Sequence, residues 1–218
     1  MNTNTKRIVM IGMFSALAFV LTCLGNLIPI KVAGFLDYDP KDIIVVIAGF
    51  VMGPLSALAI SVIVALIELV TISSTGIIGC IMNIISTSFF ACTAAVVYRK
   101  RRTLNGAIIG LALGVVLMCG AMMLWNYLIT PLYMAGVSRE TVAKMLPTVF
   151  LPFNFIKGSA NAALAMLAYK PLVNAMRRAR LLESKQSGKS DTRVLIIIVS
   201  LVIVVACVLG FLVMGGVI

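Results

Sequence analysis

Stretches of about twenty apolar residues follow one another along almost the whole chain, and this repetition constrains the fold more than any single motif. A hydrocarbon core roughly 30 Å thick takes about 20 residues of helix. In lipid each backbone N–H and C=O must be satisfied within the spanning structure, which a helix does alone. Of 218 residues, 61% are hydrophobic and only 11% charged, too few charges for a soluble surface. The expectation is an all-α integral membrane protein. No stretch is left for an ATPase or a conventional extramembrane enzyme, so function must sit within or between helices.

The first span runs from about Ile8 to Ile28. Lys6 and Arg7 precede it as they would a signal peptide, but no small-x-small cleavage site follows, so it reads as a retained helix. A polar outer loop, Lys31 to Asp42, holds three of the seven acidic residues. Ile43 to Ile72 is too long for one span, and Gly53-Pro54 divides it into a short helix and a full one, because proline lacks a backbone donor and clashes inside a helix. Ile77 to Tyr98, Leu104 to Ile129 and Thr148 to Tyr169 give three more spans, the last preceded by a polar outer loop with Arg139, Glu140 and Lys144. The plan is a six-helix core over residues 1–172, a basic linker over 173–192 and an additional C-terminal transmembrane helix over 193–218. That last helix, with its apolar run from Val194 to Val213, is assigned to lipid-facing packing.

The formal charge of +11 does not point to nucleic acid, because the cations cluster in short gaps between spans. Thirteen of the 18 Lys and Arg fall on one side of the traced topology: Lys6 and Arg7, the run Arg99 to Arg102, and seven from Lys170 to Arg193. The positive-inside bias puts that side, and the N-terminus, in the cytoplasm. Cys23, Cys80, Cys92, Cys119 and Cys207 all lie in apolar runs, and the chain has no histidine, so no metal site or Cys/His catalytic pair is expected. Gly188-Lys189-Ser190 lacks the earlier glycine and the strand–helix context of a phosphate-binding loop.

Charge within a span usually marks function, and Lys157 and Glu68 are the two instances. Asn154, Lys157 and Asn161 fall within about 60° of one another on a helix, a polar stripe that must meet either neighbouring helices or a ligand. Asn126, beside Trp125 and Tyr127, and Asn83 add amides at similar depth; the two aromatic residues fit an interfacial belt equally well. Glu68 sits near a helix end, where it either faces the interior or snorkels to water. Asp39-Pro40-Lys41-Asp42 reads as a helix start, with Asp39 as N-cap and Asp42 near the exposed amides, while ligand hydroxyls are an alternative use of both carboxylates. Small residues four apart (Gly12 and Ala16, Gly49 and Gly53, and Gly106, Gly110 and Gly114) suit close helix packing. For Gly12 and Ala16, docking of another membrane subunit is the alternative.

Over about residues 7–172 the chain resembles the substrate-binding S components of energy-coupling factor (ECF) vitamin transporters, most closely the riboflavin-specific members. The similarity rests on Met13-Phe14-Ser15-Ala16-Leu17-Ala18-Phe19, on Asp39-Pro40-Lys41-Asp42 followed by Gly49-Phe50 and Gly53-Pro54, and on Asn126-Tyr127 with Pro131-Leu132-Tyr133. Above all it rests on Pro152-Phe153-Asn154-Phe155-Ile156-Lys157-Gly158. The resemblance implies a six-helix core that binds a flavin near its outer side, with Asn126, Asn154 and Lys157 at the flavin contacts. Asn83, Asp39 and Asp42 complete the expected substrate-binding set. It implies a non-enzymatic subunit of the bacterial cell membrane with no cofactor beyond its transported ligand. The implied partners are a transmembrane coupling subunit docking at Gly12 and Ala16 and two ATPases. Rival readings are an S component for another vitamin-sized ligand, a self-sufficient ion-coupled carrier and a membrane-embedded lipid enzyme.

Overall fold

The computed structural model describes residues 3–27, 31–32, 36–73, 75–133, 137–179, 181 and 192–216. Arg180 and the linker Glu183 to Asp191, with its Gly188-Lys189-Ser190, lie outside the described residues.

Helix α1 (Thr3–Leu27) leads into a hairpin of two short antiparallel strands, β1 (Lys31–Val32) and β2 (Leu36–Asp37), where the sequence suggested only a polar loop. Then come α2 (Lys41–Met52), α3 (Pro54–Thr71), α4 (Gly76–Arg101), α5 (Leu104–Tyr133) and the short α6 (Arg139–Met145). A π-helical turn, Leu146–Phe150, passes into α7 (Leu151–Arg178), and α8 (Thr192–Met214) ends the described chain. The stretch around Arg139 is thus a helix, not a plain loop: the Ser138 hydroxyl accepts the Thr141 N–H at 3.2 Å and caps its first turn. Helix α7 also continues through Pro171 to Arg178, beyond the position where the sequence reading begins its linker.

Five helices, α1, α3, α4, α5 and α8, are long and apolar enough to cross a membrane. Helix α7 has the length but carries the polar stripe. Helix α2 has 12 residues, about 18 Å at 1.5 Å per residue, short for a span, yet it leads from the hairpin end to Gly53, whose Cβ direction meets Arg99 of α4 at 3.4 Å. It is the axis of the bundle, touching α1, α3, α4 and α7. Every residue from Lys41 to Gly49 is buried, as expected of a helix apolar nearly all round. Val45, Val46 and Ile47 meet Phe14, Ile60, Val64 and Phe90 in the main core. Gly53 separates α2 from α3 with φ +95°, a conformation strained for any residue with a Cβ, and Pro54 opens α3 at its first turn.

Lipid is as apolar as the side chains, so these helices are held by close packing more than by exclusion of water. The glycine spacing serves this at one seam. A Cβ at Gly110 would lie 2.8 Å from the Ala94 carbonyl oxygen, and one at Gly114 2.6 Å from that of Phe90, so α4 and α5 meet backbone to backbone. Gly12 differs: nothing lies within 4 Å of its Cβ direction, and with Ala16 it sits on an exposed face of α1.

The two ends of the bundle are chemically distinct. One carries Arg99, Lys100 and Arg101 in the last turn of α4, near the C-terminal end of the α7 helix with Arg177 and Arg178. The other carries the hairpin, α6 and the starts of α2 and α7.

Candidate ligand-binding cavity

At the hairpin end a cavity of about 290 Å³ opens between the end of α1, the hairpin, the ends of α3 and α5, and the starts of α4 and α7. Its wall includes Thr22, Tyr38, Asp39, Glu68, Asn83, Asn126, Tyr133, Phe153, Asn154 and Lys157. A larger groove of about 770 Å³ runs between α5, α7 and α8, but its lining of Ile108, Val115, Ile156, Ile203 and similar side chains offers almost no hydrogen-bonding groups. A site that fixes the orientation of a small polar ligand needs a few convergent polar groups in an apolar wall, and only the first cavity has them.

The polar groups beside that cavity form a buried network centred on α2. Lys41 is 1% exposed; its ammonium donates to Glu68 at 2.9 Å and is paired with Asp39 as well. Glu68 also accepts from Thr22 at 3.0 Å and from the Asn83 amide at 3.0 Å. Burial disfavours the Asp39 carboxylate, but the ammoniums of Lys41 and Lys157, with hydrogen bonds from Lys41, outweigh it and hold this carboxyl below its ordinary range. Glu68 is therefore not a snorkelling side chain: at 5% exposure it joins α1, α2, α3 and α4.

Helix α2 starts one residue later than the sequence suggested, with Pro40 at the N-cap position. Asp39 still accepts the Lys41 N–H at 3.1 Å, so its carboxylate satisfies one amide of the first turn. Asp42 does not cap its helix. Its carboxylate accepts from Thr87 on α4 at 2.6 Å and from Asn161 on α7 at 3.5 Å, and it does not line the cavity. The expectation of a ligand contact for Asp42 meets this arrangement: its carboxylate is engaged by side chains of α4 and α7 inside the bundle.

The stripe on α7 divides in the same way. Asn161 is fully buried; it accepts from the Tyr38 hydroxyl at 2.6 Å and donates to the Asp39 carbonyl at 3.1 Å, tying α7 to the hairpin. Burial, then the carboxylates of Asp42 and Asp39, push the Tyr38 phenol up, so it remains a protonated donor. Asn154 and Lys157 line the cavity. Asn154 gives one amide hydrogen to the Phe150 carbonyl at 2.8 Å, and Lys157, 8% exposed, makes no hydrogen bond or ion pair among the described residues. Asn126 donates to Met122 at 2.7 Å and accepts from Thr130 at 3.0 Å, which fixes its carboxamide against the cavity.

Thus Asn83, Asn126, Asn154, Lys157 and Asp39 share one cavity, and Asp42 stands behind it. Tyr38, Lys41 and Thr22 were not singled out in the sequence. The signal for Lys41 was present, since a lysine between two aspartates at the mouth of an apolar helix needs carboxylate partners. Tyr127, by contrast, is 38% exposed, with the Arg139 guanidinium 5.6 Å above its ring, as befits a belt residue. Among the described residues no cluster of His, Cys, Asp or Glu is arranged to hold a metal ion.

Comparison with known proteins settles the architecture. Residues 6–169 match the family described as ECF transporter, substrate-specific component. The chain belongs to this family. It is a multi-pass membrane protein and a transporter component, not an enzyme. Riboflavin transporter RibU of Staphylococcus aureus (strain TCH60) is 29% identical over 180 residues, covering 80% of this S component and 94% of the relative. Riboflavin transporter FmnP of Bacillus subtilis (strain 168) is 28% identical over 189 residues, covering 82% and 99%. A solved structure of the S component of a bacterial ECF transporter superposes with a TM-score of 0.67 at 28% identity, over 81% of this chain and all of the other.

Proposed function

We propose that this S component binds riboflavin in the hairpin-end cavity for ATP-driven uptake across the bacterial cell membrane. The observation that carries the reading is Lys157: an ammonium in the cavity wall that makes no hydrogen bond to a side chain among the described residues, beside the amides of Asn154, Asn126 and Asn83. The Lys157 ammonium faces the cavity space, and a ligand that accepts from it there gains a charge-assisted hydrogen bond in a largely apolar setting.

The chemistry of riboflavin suits these groups. The pyrimidine edge of its isoalloxazine alternates acceptor, donor and acceptor, which carboxamides can pair, and Lys157 can donate to a carbonyl or ring nitrogen. Its ribityl hydroxyls can donate to Asp39 and Glu68 on the same wall. The names of the relatives RibU and FmnP support the same ligand.

The basic end of the bundle lies in the cytoplasm with the N-terminus, by the positive-inside bias, and the cavity opens outward. Uptake is powered by partners, a transmembrane coupling subunit and two ATPases, and the exposed small residues Gly12 and Ala16 of α1 form the face on which the coupling subunit packs.

Titration of purified protein with riboflavin, followed by quenching of flavin fluorescence, tests the ligand. Saturable quenching with one site per chain is expected. Absence of quenching, with saturable binding of a different vitamin from a small panel, would replace riboflavin while keeping the cavity.

A further inference from the structure

Helix α8 lies beyond the residues that match the family, and the sequence suggested only lipid packing for it. One of its faces is exposed and apolar, as that reading requires: Val202 and Val205 are 63% and 58% exposed. The opposite face is built differently. Ser200, Cys207 and Phe211 are buried, and positions 200, 207 and 211 fall within about 40° of one another on a helix. This stripe packs on α7, closely enough that a Cβ at Gly210 would lie 2.9 Å from the tip of Ile156.

At the hairpin end the stripe reaches past α7. The Phe211 ring lies 5.2 Å from that of Tyr38 and 6.0 Å from that of Phe153. Val32, 1% exposed, completes the cluster, with Leu36 and Met214 at its rim. Leu36, Tyr38 and Phe153 also line the cavity, so the aromatic side chain of α8 supports the cavity wall from behind.

The hairpin needs such support. Among the described residues its two strands have two residues each and pair only with each other, and an isolated pair of this size is not stable in water. On the cavity side it is tied by the Tyr38 and Asp39 bonds to Asn161. On the far side its apolar residues rest on Phe211.

We propose that α8 is a clamp on the cavity: Phe211 is a positioning residue that holds the hairpin over the bound ligand and slows its release. The proposal rests on the cavity being the binding site, and its test separates the two ideas.

Full-length Phe211→Ala, Phe211→Leu and, as a lipid-face control, Val202→Ala are compared with the unaltered chain. In riboflavin-loaded protein, loss of the aromatic contact should raise the dissociation rate about tenfold with association changed less than about threefold, since such contacts act mainly on release. Leucine, which keeps the apolar volume, should restore most of the difference, and Val202→Ala should match the unaltered chain. In ligand-free protein, backbone amides 36–38 of Phe211→Ala should exchange hydrogen faster than in the unaltered chain. Met214→Ala, at the rim, should shift both readouts the same way by less. Equal dissociation and equal exchange for Phe211→Ala and the unaltered chain would overturn the clamp. Should no variant bind riboflavin, the ligand assignment fails, and the exchange measurement still decides the clamp.

Discussion

Two lysines lie close to the same cavity in opposite circumstances. Lys41, at the mouth of the central helix, is enclosed by Asp39 and Glu68 and joined through them to Thr22 and Asn83. Lys157, on α7, has carboxylates in its electrostatic reach but, among the described residues, none within bonding distance. The first ammonium is satisfied within the protein; the second, on the proposed function, is the donor that meets the ligand. Residue type and depth are alike, so what separates structure from function here is the supply of partners, which depends on all the surrounding helices at once.

Breaking the comparison on the Lys41 side should have the largest effect. Lys41→Met leaves the buried Glu68 and the partly buried Asp39 without this cation and should cost on the order of 3–5 kcal/mol of stability, seen as a collapsed thermal midpoint in detergent together with lost riboflavin binding. Lys157→Ala should do the reverse: a tenfold or greater rise in Kd, about 1.5–3 kcal/mol for a lost charge-assisted bond, with the ligand-free midpoint retained. Unchanged affinity would make Lys157 structural and erase the contrast. Asn161→Ala belongs with Lys41 despite its place on the stripe of Lys157. It should lower the midpoint by an amount equivalent to about 1–2 kcal/mol, because the Tyr38 hydroxyl and Asp42 each lose a partner, while affinity falls less than for Lys157→Ala. Tyr127→Ala, on the exposed side of α5, should change both stability and affinity by no more than about 0.5 kcal/mol.

Much of this was legible before the structure. Apolar runs gave the membrane class and most of the helices, Gly53-Pro54 gave the break that makes α2 short, and the angular spacing of Asn154, Lys157 and Asn161 gave a shared face. Spacing along one helix does not say what stands opposite each turn. Asn161 faces Tyr38 across 123 positions of sequence, and Lys157, one turn earlier, faces open space. Glu68 shows the same limit: an acidic residue near a helix end fits water and the interior equally well until Lys41, Thr22 and Asn83 are brought around it from three other helices. Asp42 shows it too: its carboxylate accepts from Thr87 and Asn161 on two other helices, partners that spacing along α2 does not reveal. The hairpin was missed because strands of two residues leave no periodicity to read.

The seam between α4 and α5 has a mechanical consequence. Helices whose main chains touch at Gly110 and Gly114 have no side-chain cushion to deform and little freedom to slide or part. They travel as a single slab, and both contribute wall to the cavity through Asn83 and Asn126. On the proposed function, release from the cavity is then expected to come from the elements facing that slab, the short hairpin and the ends of α1 and α7, with α4 and α5 moving together.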